Sequence, residues 1–160
     1  MIRATLIGAA LFAAPAFAES WEVHREKDWS VEVYENDGDM GCRAGVVTPG
    51  GVAFYLSFDQ HGLDANLTDR NASYPKGTQG DVRFWVDRLT EWTVTVKAVD
   101  SLMYWDIPKD DRAGTFLREL VKGARLYVSL NETGGYTYWF SLSGSRAALQ
   151  AFGDCIETVE

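Results

Sequence analysis

The chain has 160 residues, with 15 Lys and Arg against 23 Asp and Glu, and a formal net charge of −8. That acidic balance, with the cations scattered along the chain, argues against nucleic acid as a partner, because such binders mass Lys and Arg on one face. A chain of this length can bury the core of one ordinary domain.

The first segment, "MIRATLIGAALFAAPAFA", carries a basic start at Arg3, an apolar run, a breaker at Pro15 and an Ala16-Phe17-Ala18 cleavage site. Its apolar run is about a dozen residues, short of the ~20 that cross a bilayer. Residues 1–18 therefore read as a cleaved bacterial signal peptide and 19–160 as a single β-rich domain, periplasmic or secreted, without a transmembrane anchor.

Short alternating runs then follow one another: Trp21 to Arg25, Ser30 to Tyr34, Arg43 to Val47, Val52 to Phe58, Leu63 to Leu67, Val82 to Leu89, Thr93 to Val99 and Met103 to Ile107. Two more follow later, Arg125 to Leu130 and Tyr136 to Ser141. Turn signals separate them: "NDGD", "TPGG", "DQHG", "YPKGTQG" and "ETGG". The pattern predicts a mainly β fold, an antiparallel β-sandwich or barrel, with two short helices.

Within this series, "VRFWVDRLTEWTVTVKAV" is the most informative stretch. Val82, Phe84 and Val86 share one face of the first strand, and Val94, Val96 and Ala98 one face of the second. A two-residue loop would set Val86 beside Thr95; a loop of three or five residues sets Val86 against Val96 and Phe84 against Ala98, giving one apolar face. The odd loop is expected. The opposite face then carries Arg83, Trp85 and Asp87 with Thr93, Thr95 and Lys97, and Lys97 lies across from Trp85, placed for a cation–π contact. Arg83, Trp85, Asp87, Thr95 and Lys97 are the candidate binding residues, a flat apolar ring among polar groups. Trp21, Trp29, Trp92, Trp105 and Trp139 read as core or edge packing.

The first helix is predicted near 112–122. Phe116, Leu117, Leu120 and Val121 recur at helical spacing, Asp110 or Asp111 can cap the start, and Gly123 stands at the C-cap. The second is predicted near 144–152, in "FSLSGSRAALQAFGDC". There Ser143 or Ser145 is the expected cap, Ala148, Leu149 and Phe152 form the apolar stripe, and Gly153 marks the end.

"FSLSGSRAALQAF" resembles the C-terminal signature of the invasion-associated locus B family of small exported bacterial proteins, a strand ending in Ser-Leu-x-Gly before an alanine-rich helix. The likeness covers about a tenth of the chain. In that family a phenylalanine follows the glycine and a further cysteine pair sits in mid-chain; here Ser145 follows Gly144 and the extra pair is missing. The resemblance implies an envelope or secreted protein and transfers no catalytic residue.

Cys42 and Cys155 are the two cysteines. In an oxidising compartment they predict one disulfide, tying the end of the C-terminal helix back to the strand near Cys42.

Other chemistries are weakly supported. A nucleophile elbow needs glycine on both sides of its serine, and "SLSGSRA" has it on one side only. Ser73 and Lys76 have the S-x-x-K spacing of penicillin-recognising enzymes without the accompanying motifs. "YENDGD" and "DIPKDD" read as solvated acidic loops and not as metal sites. His24 and His61 lie far apart and read as structural or surface residues. Asn66, Asn71 and Asn131 head N-x-S/T sequons that a bacterial chain leaves unused. No cofactor or metal is expected.

Two function classes remain. The favoured one is a non-enzymatic exported binding, envelope or inhibitor module with a protein or glycan partner. The other is a small hydrolase of wall or glycan using a carboxylate pair, with Asp87 and Asp106 the first pair to inspect.

Overall fold

The computed structural model describes residues 19–36, 38–107, 110–130 and 136–159. The expected signal peptide, the "ETGG" turn, the Asn131 sequon and Asp37 of "NDGD" lie outside them. Among the described residues no helix is long and apolar enough to cross a membrane.

Ten strands form one antiparallel sheet that does not close on itself. In chain order they are β1 (Glu19–Glu26), β2 (Trp29–Asn36), β3 (Asp39–Val47), β4 (Val52–Asp59) and β5 (Gly62–Asp69), then β6 (Tyr74–Val86), β7 (Glu91–Asp100) and β8 (Leu102–Asp106). Helix α1 (Asp111–Lys122), β9 (Arg125–Leu130), β10 (Tyr136–Ser141) and helix α2 (Ser145–Val159) complete the chain. Across the sheet the order is β1-β2-β3-β4-β5-β8-β7-β6-β9-β10.

Alternation explains the strands: Trp29, Val31 and Val33 of β2 are buried, as are Phe54 and Leu56 of β4 and Ala65 and Leu67 of β5. The sheet curls so that its two halves face each other. Phe54 of β4 meets Phe140 of β10 at 5.9 Å between ring centres. Two hydrogen bonds tie the halves together, Trp29 Nε1 to the Ser141 carbonyl at 2.9 Å and Tyr138 Oη to Asp69 Oδ2 at 2.7 Å. The mainly β class with two helices is thus present. Its form is a single folded-over open sheet, in place of two separate sheets or a closed barrel.

Three expectations of strand extent, register and helix length need correction. "YPKGTQG" is not a turn but the start of β6, which opens with a bulge between Tyr74 and Thr78 around Gly77 at φ +89. The β6–β7 hairpin has an odd connection and the expected parity of faces, but a different register. Trp85 pairs with Glu91, Val82 with Val94, Gly80 with Val96 and Thr78 with Ala98. The strand turns at Asp87, whose φ of +50 ends the pairing three residues earlier than the alternation suggested. Third, α2 does not stop at Gly153 but runs through to Val159, so Cys155 sits inside the helix.

Helix α1 starts and stops as its residues require. Asp110 is the N-cap and accepts from the Arg112 amide at 2.9 Å, and the Gly123 amide closes the last turn on the Glu119 carbonyl. Phe116 packs edge-on against Phe84 at 4.9 Å, covering the apolar side of β6. Helix α2 lies over β1, β2 and β3, where Cys155 bonds Cys42 with their Cα atoms 6.2 Å apart.

The entry to α2 differs from a serine cap. Gly144, at φ +97, precedes the first helical residue, and a Cβ there would stand 2.0 Å from the Glu26 carbonyl oxygen. Ser145 is already helical and buried; its hydroxyl donates to the Leu120 carbonyl at 2.7 Å. The first amides of α2 go to the backbone, Ser145 N–H to Leu142 and Ala148 N–H to Gly144.

Candidate functional site

The outer face of the sheet carries an aromatic row that no core requirement explains. Leu126, Val128 and Leu130 of β9 and Val82, Phe84 and Val86 of β6 fill the interior, so Tyr127 and Trp85 point outward by alternation. Register then lines them up: Trp85 pairs with Tyr127, and Tyr127 with Trp139 of β10. Three rings thus stand side by side on three neighbouring strands.

The ring geometry decides what the row can recognise. Trp85 and Tyr127 stack face to face, 5.4 Å between centres and 10° apart in plane. The Arg125 guanidinium lies over the Trp139 ring at 5.1 Å. Trp139 nevertheless remains 55% exposed. Beside the rings stand the Arg83–Glu91 pair at 3.4 Å and the Thr137 and Ser129 hydroxyls, bonded to each other at 3.3 Å. At the far end, Trp139 borders a cleft of about 670 Å³ between edge strand β10 and the Val46–Pro49 turn.

The five residues expected on this face separate into three groups. Arg83 and Trp85 are neighbours on it. Asp87 is not part of it: its carboxylate accepts the Ala124 and Arg125 amides at 2.8 and 3.0 Å and fastens the α1–β9 junction to the end of β6. Thr95 and Lys97 share the outer side but lie towards the other end of the hairpin. Thr95 donates to Asp81 Oδ1 at 2.8 Å, while Lys97 pairs with Gln79 and Tyr104. Gln79 precedes Trp85 by six residues, about 20 Å along a strand. The cation–π contact of Lys97 with Trp85 is therefore replaced by the Tyr127 stack.

Tyr127, Trp139 and Arg125 are the members that sequence reasoning missed. Their signal was present in "RLYVSL" and "YTYWFS", where buried Leu126 and Phe140 force their neighbours outward. Reading Trp139 as packing overlooked that parity. Trp21 is likewise exposed, at 45%, beside Val23 and Met40, whereas Trp29 and Trp105 are core and half-buried Trp92 donates to Glu119 Oε2 at 3.3 Å.

The carboxylates gather elsewhere than expected. Asp87 is occupied by backbone amides, and Asp106 pairs by register with Asp64. Burial pushes the Asp64 carboxyl up to about 6, opposed by its bond from Asn66 and reinforced by Asp59 and Asp106. Neither Asp64 nor Asp106 lines the cleft beside β10. Among the described residues no three His, Cys, Asp or Glu side chains are grouped to hold a metal ion. His61 is exposed, with its backbone amide bonded to Asp59 Oδ1 at 2.7 Å, and half-buried His24 has no partner for Nε2. The Asn66 sequon amide is engaged within β4 and β5, donating to Ser57 and Asp64.

The fold is similar to that of a solved bacterial protein. That structure is invasion associated protein B from Bartonella henselae, with a TM-score of 0.53 and 15% identity, covering 89% of this chain and 99% of the other. At that identity the likeness concerns the fold alone. The chain matches no family model and no curated protein.

Proposed function

We propose that this is an exported, non-enzymatic module that binds a protein partner through the Trp85–Tyr127–Trp139 row and the adjoining edge of β10. The carrying observation is how the ring faces are used. A sugar stacks on an open aromatic face, whereas here Trp85 and Tyr127 turn one face each towards the other and Arg125 lies over one face of Trp139, so part of the ring surface is already taken by the protein's own side chains. What remains is a rigid cluster of Trp, Tyr and Arg, the residue types that dominate protein–protein hot spots. The free edge of β10 and the neighbouring cleft add a surface where an extended segment of a partner can dock.

Export rests on the signal-like segment 1–18 and on the disulfide, which belongs to an oxidising compartment such as the periplasm or the exterior. The carboxylate hydrolase is the weaker reading. Its expected pair is not assembled, and the raised carboxyl of Asp64 lies on the strand face outside the cleft beside β10.

The test is a capture experiment from periplasmic and host extracts with immobilised protein, repeated with Trp85→Ala, Trp139→Ala and Lys97→Ala. Capture lost with the two tryptophan variants and kept with Lys97→Ala supports the row. Equal capture by all four proteins sinks it, and saturable binding on a glycan panel would move the reading to a carbohydrate partner.

A further inference from the structure

Helix α2 contains a glycine where a helix has no local use for one. Gly153 lies in mid-helix, costs about 1 kcal/mol relative to alanine, and has an ordinary helical backbone with nothing within 4 Å of its Cβ position. It opens onto a groove of about 720 Å³ between α1 and α2. A side chain there would fill that groove.

The groove is apolar along its length and cationic on its rim. Leu117 and Val121 of α1 and Leu149, Phe152 and Ile156 of α2 form the walls, with Phe58 and Leu63 from the sheet. Arg118, Lys122 and Arg146 supply the polar rim together with Gln150, and no carboxylate lines it. In a chain of net charge −8, three cations around one apolar trough are a local reversal of sign. Arg118 donates to Thr115 Oγ1, and none of the ion pairs among the described residues includes any of the three.

Two ends can be distinguished. The Ser145 hydroxyl bond to the Leu120 carbonyl fixes the start of α2 against the last turn of α1. Lys122, two residues past Leu120, and Arg146, next to Ser145, therefore mark one end of the groove. From there the apolar lining continues past Gly153 to Ile156.

We propose that this groove binds a free long-chain fatty acid, its carboxylate at Lys122 and Arg146 and its chain along Gly153 and Ile156. The volume is that of a small-molecule site, about 300–1,000 Å³. The charge complements an anion, and the trough offers the tail carbon contacts with no buried polar group to satisfy.

The test is titration of the purified protein with 11-(dansylamino)undecanoic acid, followed by displacement with myristate, tetradecanol and tetradecyltrimethylammonium. Saturable one-to-one binding is expected, with myristate displacing the probe at least tenfold more effectively than the alcohol or the cation. Gly153→Phe should abolish binding while the melting transition is kept, and Gly153→Ala should retain binding. The Lys122→Glu, Arg146→Glu double variant, which leaves the glycine untouched, should weaken binding at least tenfold. Equal displacement by the cationic analogue, or unchanged binding in both Gly153→Phe and the charge variant, overturns the proposal. So does a concentration-dependent dimer that Gly153→Phe dissolves, which would make the groove a contact between copies.

Discussion

The hydroxyl of Ser145 donates to the Leu120 carbonyl across 2.7 Å, so the first residue of α2 satisfies the last turn of α1. Both residues are buried. Removing the hydroxyl leaves a buried carbonyl without that partner, and Ser145→Ala should destabilise the protein by about 1–3 kcal/mol. Ser143, exposed and outside the helix, should tolerate alanine within about 0.5 kcal/mol. Urea denaturation of both variants measures the contrast, and equal effects would remove the special role of Ser145. Serine-directed covalent probes should label neither residue.

Asp87 has a second structural task that its sequence neighbourhood concealed. It combines φ +50, tolerable for Asp or Asn, with a carboxylate that accepts two backbone amides. Asp87→Ala should therefore cost about 2–3 kcal/mol through lost charge-assisted bonds and left-handed strain. Asp87→Asn keeps the conformation and one acceptor oxygen, so it should lose less. Thermal melts of the two variants in one buffer decide the order.

Alternation made the strands legible, because burial on one face imposes period two on Val31, Val33, Leu56 and Leu67 whatever their partners. It gave the faces of Phe84 and Trp85 correctly for the same reason. Register was another matter: parity cannot separate Val82–Val94 from Val86–Val96, and only the left-handed Asp87 places the turn. Gly153 misled because a glycine after an apolar stripe usually ends a helix, whereas the Cys42–Cys155 bond and the packing on β3 carry this one onward. The aromatic row needs three strands in register, and Trp85, Tyr127 and Trp139 are too far apart in sequence for any local pattern to unite them.

The disulfide closes a sequence separation of 113 residues and anchors α2 to β3. Chain-entropy reasoning assigns such a loop about 4–5 kcal/mol. Purified denatured protein should show essentially no reactive thiol before reduction and two afterwards. Cys155→Ser should lower the melting temperature and raise amide exchange first in α2, the element it holds. Thiol labelling without reductant, or uniform exchange across the sheet, would contradict this account.

Asp64 sets a pH dependence whose sign follows from its environment. Burial raises its folded carboxyl to about 6, while in the unfolded chain it titrates near the ordinary value of about 3.9. Between these values the folded protein holds the proton more tightly than the unfolded chain does, so stability contributed by this group falls as pH rises from about 4 to 6 and is level above. Two units correspond to about 3 kcal/mol, which partial solvent screening reduces to about 1–2. Asp64→Asn removes the buried charge and keeps an acceptor for the Asn66 amide, bonded at 3.1 Å in the parent. The variant should be more stable than the parent by about 1–2 kcal/mol at pH 7.5 and equal to it near pH 3.5. Urea titrations at the two values read the difference directly. A gain that persists undiminished at pH 3.5 would mean the substitution acts through packing, and a loss at pH 7.5 would mean the Asp64 carboxylate is held by a partner and not destabilised by its burial.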